Sequence, residues 1–176
     1  VLWPHVAQLH CRGCRQPVRK DSPQNIWETL AKSEIRNPKS ETSPKSEVRS
    51  PKSEVLITFD LPLSEKLSLD ESLGLIAKQG FQRLLLNGEV VRLEDAPSRL
   101  QPPATSLQPL TVIQDRLTLA PGARARFIEA CEQAYHFGKG KLAIWEFQPP
   151  SSILHPRPFS NRLHCARCDL EYSEPS

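Results

Sequence analysis

Residues 81–93 read FQRLLLNGEVVRL, two apolar runs joined by Asn87-Gly88. An Asn-Gly pair readily takes the two positive φ angles of a type I′ turn, so this stretch predicts a β-hairpin. Upstream, Val55, Ile57 and Phe59 alternate with their neighbours at the period of a strand. The centre of the chain is therefore predicted to be built on a sheet.

Helices are predicted on both sides of this hairpin. Ser68 and Glu71 form a capping-box pattern, and Gly80 ends the helix that follows. A second helix opens at Pro121. Further strands are predicted over residues 110–119, with a bulge at Gln114-Asp115-Arg116, and over residues 141–147. The order β-α-β-β-β-α-β over residues 55–150 predicts an α+β fold, a two-layer arrangement of a mixed sheet and two helices.

Three further segments flank this domain. Residues 1–30 hold a Cys-x-x-Cys knuckle and a short helix capped by Ser22, and residues 151–176 hold a second knuckle. Residues 31–54 repeat Lys-Ser-Glu and contain few apolar side chains, so we expect a disordered insertion there.

Composition excludes several classes of protein. The chain of 176 residues carries 23 basic and 20 acidic residues, a net charge of +3, which is too balanced for a protein that wraps nucleic acid by charge alone. No apolar run approaches the ~18 residues of a membrane span, and no signal peptide is recognisable, so we expect a cytoplasmic protein without a membrane partner. No phosphate loop or catalytic motif is present, which predicts that this chain is not itself an enzyme. The lack of methionine leads us to expect a fragment of a longer protein.

Four cysteines carry the strongest chemical signal. Cys11, Cys14, Cys165 and Cys168 form two Cys-x-x-Cys pairs, which favour a structural four-thiolate zinc site. The 150 residues between the pairs would cost about 4–5 kcal/mol to close as a flexible loop. Structural zinc supplies about 10–16 kcal/mol in small modules, enough to offset that cost.

Other readings of the cysteines and histidines are weaker. A redox pair needs a helix directly after its first cysteine, and Arg15-Gln16-Pro17 does not indicate one. His10 and His164 each precede a knuckle and are predicted to face solvent. Cys131 lies on the apolar face of the second helix and is predicted to be a small buried hydrophobe.

Several stretches together resemble one family, the UvrA subunit of the bacterial excinuclease. The resemblance covers nearly the whole chain apart from the Lys-Ser-Glu repeat and residues 97–109. It is carried by residues 10–14 (HCRGC), 79–90 (QGFQRLLLNGEV), 114–117 (QDRL), 129–134 (EACEQA), 165–168 (CARC) and 172–175 (YSEP).

The resemblance implies a segment that binds zinc and docks the partner UvrB. The whole subunit would be a dimeric ABC-type ATPase that surveys DNA for lesions in nucleotide excision repair and the SOS response. Its ATP, its damaged DNA and its second UvrA copy would contact parts outside this chain. In the family the chain continues into a further Cys-x-x-Cys, so Cys165 and Cys168 could pair with that missing knuckle instead of with Cys11 and Cys14.

Charged residues around the hairpin are the candidates for docking UvrB. Arg83, Glu89 and Arg116 are expected to face one side of the sheet, and arginine is over-represented at interface anchors. Two other function classes stay open, a free-standing zinc-ribbon module that binds nucleic acid and a thiol-disulfide enzyme.

Overall fold

A computed structural model describes residues 8–35, 54–63, 67–100, 109–148, 152–153 and 156–173. Nearly all of the predicted insertion, residues 36–53, lies outside the described residues. The helices are α1 (Pro23–Ile35), α2 (Leu69–Lys78), α3 (Ala96–Arg99) and α4 (Arg124–Phe137). The strands are β1 (Glu54–Leu61), β2 (Arg83–Leu86), β3 (Glu89–Arg92), β4 (Leu110–Thr118), β5 (Lys141–Gln148), β6 (Ser152–Ile153), β7 (Arg157–Ser160), β8 (His164–Cys165) and β9 (Leu170–Glu171).

One sheet organises the chain. Its strands run in the order β3-β2-β4-β1-β5, and both β6 and β7 pair with β5. The predicted α+β class is confirmed. The pairings that the structure describes are all antiparallel, whereas the sequence suggested a mixed sheet. A separate small hairpin, β8-β9, carries the second cysteine pair.

The local signals of the sequence appear where they were expected. Asn87 and Gly88 have φ of 51° and 83°, as a type I′ turn requires. Ser68 and Glu71 form both hydrogen bonds of the capping box. In the β1-β4 ladder, Ile57 pairs with Asp115 and Thr58 with Ile113, so Gln114 is the extra residue of the predicted bulge.

Helices cover one face of the sheet with a single core. Alternate residues of β1, namely Val55, Ile57 and Phe59, pack in one cluster with α2 and α4. The helix layer is larger than predicted because α1 joins it, with Ile26 and Leu30 fully buried. That helix also extends to Ile35, beyond the predicted boundary at residue 30. Cys131 is buried as expected, and burial raises the pKa of its thiol to about 12.

The other face of the sheet, which we call the open face, has a smaller apolar centre. Leu56, Leu85 and Ile113 form a buried cluster there, and half-buried Trp145 packs against it. The indole N–H of Trp145 donates to the Thr58 hydroxyl at 2.9 Å. Each of these residues alternates along its strand with members of the helix-side core.

The segment that follows β3 is helical. Residues 93–99, of which 95–99 were expected in a connection, form a 3₁₀ turn (Leu93–Asp95) followed by α3.

Within the described part of the chain, no helix is long and apolar enough to cross a membrane.

We expect Ser68→Ala to lower the free energy of unfolding by about 1 kcal/mol, because the backbone N–H of Glu71 loses its acceptor. Ser72→Ala is the matched control, since the Ser72 hydroxyl only donates to the Ser68 carbonyl inside the same helix. Urea denaturation of both variants measures the difference. Equal stability of the two variants would contradict this role for Ser68.

Candidate metal centre and docking face

The four knuckle cysteines come together. The Sγ atoms of Cys11, Cys14, Cys165 and Cys168 all lie within 4.8 Å of one another, and Cys14 Sγ is 3.5 Å from Cys165 Sγ. Tetrahedral thiolates at ~2.3 Å from a metal ion would be roughly 3.8 Å apart. Cys11 and Cys165 are buried and the other two are half-buried. This arrangement could hold a metal ion, and the first pair has its partners within this chain.

Both knuckles fold into the same kind of turn. Arg15 and Asp169, each the residue after a second cysteine, have φ of 58° and 53°. Each donates its backbone N–H to the carbonyl of the first cysteine of its pair, at 2.9 and 2.8 Å. The chain after Cys14 then returns to pair at a His10–Pro17 bridge instead of entering a helix. The geometry of a thioredoxin-type redox pair is therefore not formed at this knuckle.

A tyrosine borders the sulfur cluster. The Tyr172 hydroxyl accepts the Arg12 N–H at 2.8 Å, and the Arg12 guanidinium lies 5.8 Å from the centre of the same ring. Hydrogen bonding from Tyr172 is the main cause that lowers the pKa of Cys11 to about 6. Contact with Cys14 is the main cause that raises the pKa of Cys168 to about 12. The spacing of Tyr172 from the cysteines follows no metal-ligand pattern, so the sequence does not indicate this contact.

The two histidines beside the knuckles differ. His10 is exposed, as expected. The prediction for His164 is wrong, because it is buried in β8 and its Nε2 lies 2.8 Å from Asp169 Oδ1. Asp169 also accepts from Lys141 at the start of β5, and both contacts hold the pKa of its carboxyl below the usual value, Lys141 contributing most. This network ties the second knuckle to the central sheet.

The predicted docking residues divide between the two faces of the sheet. Arg83 adjoins Leu84 of the helix-side core, so it lies with Leu85 on the open face. Arg116 pairs across the ladder with Leu56 and lies on that face too. Glu89 pairs with Leu86, which packs on the helix-side core. The expectation that all three share one side is therefore corrected, because the hairpin register turns Glu89 to the helical side.

Two of these residues are already ion-paired. The Arg116 guanidinium contacts both carboxylate oxygens of Glu54, at 2.6 and 3.2 Å, and this hydrogen bonding raises the pKa of Arg116. Glu89 accepts from Arg99 at 2.7 Å. Arg83, Glu89 and Arg116 are all exposed.

Comparison with known proteins now decides the family. A family model described as the UvrA interaction domain matches residues 50–148, more than half of the chain. The chain belongs to this family. The matched residues comprise β1–β5 with α2, α3 and α4 and include all three predicted docking residues, whereas α1, β6 and β7 lie outside the match.

Curated relatives extend the similarity over the cysteine segments. The chain is 24% identical over 176 residues to UvrABC system protein A of Streptomyces avermitilis, covering 99% of this chain and 16% of that protein. It is 27% identical over 165 residues to the same-named protein of Aquifex aeolicus, covering 94% and 15%. For that of Micrococcus luteus the identity is 30% over 150 residues, covering 84% and 13%. The chain spans about one sixth of the length of the first relatives.

Gly13, inside the first knuckle, provides a test of the cluster. A Cβ at this position would lie 3.1 Å from Cys168 Sγ. We expect Gly13→Val to push the two knuckles apart and weaken Co²⁺ binding about tenfold or more, measured by the thiolate charge-transfer absorption. Gly74→Val is the control, since nothing lies within 4 Å of a Cβ there. Unchanged Co²⁺ affinity in Gly13→Val would contradict the close approach of the knuckles.

Proposed function

We propose that this chain is the module through which a UvrA subunit docks UvrB, and that zinc at the four cysteines is its structural cofactor. The observation that carries the docking proposal is the open face of the sheet. Two exposed arginines from separate strands, Arg83 and Arg116, lie on this face. Its apolar cluster of Leu56, Leu85 and Ile113 is buried, and exposed Val90 and half-buried Trp145 beside it provide the apolar surface that a partner can reach.

This combination has the anatomy of a protein interface. Interface cores are apolar and rich in aromatic residues and arginine, and their rims are polar. Val90 of the edge strand is 40% exposed and pairs with Leu85, so it extends the apolar centre towards the edge. The Arg116 guanidinium contacts both carboxylate oxygens of Glu54, which fixes its orientation on this face. A partner that presents acidic side chains around an apolar patch would complement this surface.

The donor chemistry supports zinc. Four sulfurs select a soft or borderline ion, whereas magnesium and calcium require oxygen ligands. Closed four-cysteine sets are typical of structural zinc, because no position is left for water or substrate. The role we infer for the ion is therefore to hold the two knuckles together, with no part in catalysis.

We infer that the other activities of the whole subunit do not reside in this chain. ATP hydrolysis, contact with damaged DNA and pairing with a second UvrA copy would reside outside this chain, in a bacterial repair protein of the cytoplasm. The chain itself would then bind UvrB and zinc without hydrolysing ATP.

Metal analysis of the purified chain tests the zinc proposal. We expect a single zinc ion per chain, lost in Cys11→Ser and equally in Cys165→Ser, because removing either ligand leaves three thiolates. Cys131→Ser is the matched control, since Cys131 lies on the buried face of α4 and outside the sulfur cluster. Zinc retained in full by either knuckle variant would contradict a site shared by the two pairs.

Binding of purified UvrB tests the docking face. We expect Arg83→Glu and Arg116→Ala each to weaken the complex roughly thirtyfold, the effect of losing an interface anchor. Glu89→Ala should have a smaller effect, because Glu89 lies on the helical side of the edge hairpin.

Arg126→Ala is the matched control for Arg116→Ala. Arg126 also forms a two-bond pair with a carboxylate, that of Asp115, but it lies on α4 on the opposite side of the sheet. The measurement is the dissociation constant by calorimetry, with circular dichroism to establish that each variant is folded. Equal losses in the Arg116 and Arg126 variants would contradict docking through the open face.

A further inference from the structure

Tyr172 connects the two knuckles through its side chain. Its backbone belongs to the second knuckle, because its N–H donates to the Leu163 carbonyl at 2.8 Å. Its half-buried ring packs in the cluster that contains Cys11 and Cys165. Its hydroxyl accepts the backbone N–H of Arg12, which lies 160 residues earlier in the chain, at 2.8 Å. A residue of the second knuckle therefore reaches the backbone of the first.

The same hydroxyl forms a hydrogen bond with the Cys11 sulfur. A phenol has one hydrogen to donate and can accept two hydrogen bonds. The Arg12 N–H can only donate, so it occupies an acceptor position of the hydroxyl and leaves the phenol hydrogen free. A thiolate that ligates a metal ion has no hydrogen and can only accept. With a metal ion bound to Cys11, the hydrogen bond therefore runs from the Tyr172 hydroxyl to the sulfur.

Both knuckles supply backbone donors to the sulfur of their first cysteine. In the first knuckle, the Gly13 N–H donates to Cys11 Sγ at 3.3 Å. In the second, the Arg167 N–H donates to the Cys165 sulfur. The contact from Tyr172 is an addition to this shared pattern, because it is made by a side chain of the opposite knuckle. Cys11 thus receives donors from both knuckles.

Further contacts limit the movement of the phenol ring. The Arg12 guanidinium lies 5.8 Å from the ring centre, a distance at which a cation is attracted to an aromatic face. The backbone of Gly13 also approaches the second knuckle, since a Cβ there would lie 3.1 Å from Cys168 Sγ and 3.7 Å from Leu170 Cδ1. The knuckles are therefore in contact at more than one point, which keeps the Tyr172 hydroxyl beside Cys11.

A hydrogen bond to a ligating sulfur acts through charge. Four thiolates around a divalent ion leave an excess of negative charge, which is costly where the sulfurs of Cys11 and Cys165 are buried. A donor to one sulfur withdraws part of that charge, and hydrogen bonds to ionised groups are stronger than those between neutral groups. Groups that hydrogen-bond to metal ligands typically change the metal affinity by about 10–100-fold.

We propose that Tyr172 is a positioning residue of the metal centre, whose hydroxyl donates to the ligating sulfur of Cys11, so that the second knuckle stabilises a ligand of the first. This inference rests on the zinc site proposed above. It goes beyond that site because Tyr172 is not a ligand, and because it predicts a change in the metal–sulfur bond itself.

Cobalt spectroscopy of the whole 176-residue chain tests the inference. Tyr172→Phe removes the hydroxyl and keeps the ring. We expect this variant still to bind Co²⁺, about tenfold more weakly than the unaltered chain. Its sulfur-to-cobalt charge-transfer band should move to lower energy, because a sulfur that has lost a hydrogen-bond donor gives up electrons more readily.

Tyr135→Phe is the matched control. It removes the other tyrosine hydroxyl of the chain, which donates to the Asp21 carbonyl and lies outside the sulfur cluster. Loss of that contact can lower the metal affinity indirectly, through the segment that carries the first knuckle, but it leaves the donors to sulfur unchanged. We therefore expect its charge-transfer band to coincide with that of the unaltered chain.

A second substitution at Tyr172 changes the hydroxyl in the opposite direction. The chain has two tyrosines, so 3-fluorotyrosine incorporated into the Tyr135→Phe chain replaces Tyr172 alone. Fluorine makes the phenol a stronger donor, and the band should move to higher energy. This measurement holds whether or not Tyr172→Phe folds, which circular dichroism establishes for each variant.

The outcomes separate this inference from the zinc proposal. Cobalt binding with one band energy in the unaltered chain, in Tyr172→Phe and in the fluorotyrosine chain would overturn the role of Tyr172 and leave the metal site standing. Absence of cobalt binding by the unaltered chain would overturn both.

Discussion

The peptide groups on the two sides of Asp21 join three parts of the chain that are far apart in sequence. Its N–H reaches Ser160 at the end of β7, and its carbonyl receives the buried hydroxyl of Tyr135 from α4. A buried hydroxyl without a partner costs about 1–3 kcal/mol, so the hydrogen bond from Tyr135 stabilises the position of Asp21 against α4. The segment before α1 and the segment after β7 are therefore held side by side. The sulfur cluster depends on that placement, because each knuckle lies only a few residues from one of these anchored points.

Much of the fold follows from chemistry within a few residues. Asn87-Gly88 determines a two-residue hairpin, and Ser68 with Glu71 determines where α2 begins, because these signals act over three or four positions. The packing of α1 against α4 is different in kind. The apolar face of Ile26 and Leu30 predicts that α1 is buried, but nothing local indicates which surface buries it. Strand order and the pairing of β7 with β5 are likewise set by the tertiary structure, and they had no signal in the sequence.

The candidate sites also divide into features that the local sequence predicts and features that only the tertiary structure determines. Glu89 is an exception, because the sequence contained information about it that was not used. The cysteine pairs were predictable because metal coordination dictates both the residue type and the spacing. The burial of His164 was not, since its contact with Asp169 arises only when the second knuckle turns back on itself. The side of the sheet taken by Glu89 could have been worked out from the sequence. A two-residue loop at Asn87-Gly88 forces Leu86 and Glu89 to be directly opposite, and residues opposite each other share a face. Because Arg83 and Leu86 point to opposite faces of β2, Glu89 must lie on the face opposite Arg83. Which of the two faces the helices cover is not indicated by three consecutive leucines.

The anchoring at Asp21 also changes what a metal ion has to do. Treated as a flexible loop, the 150 residues between Cys14 and Cys165 cost about 4–5 kcal/mol to close. In the folded domain, six residues separate Cys14 from Asp21 and four separate Ser160 from Cys165. The Asp21 N–H already contacts the Ser160 carbonyl, so a loop of roughly ten residues remains, with a closure cost of about 2 kcal/mol. Most of the closure is therefore achieved by the sheet, by α4 and by the core that α1 shares with them. The free energy of metal binding is then available to order the two knuckles, whose left-handed residues and partly exposed thiols give them little stability of their own.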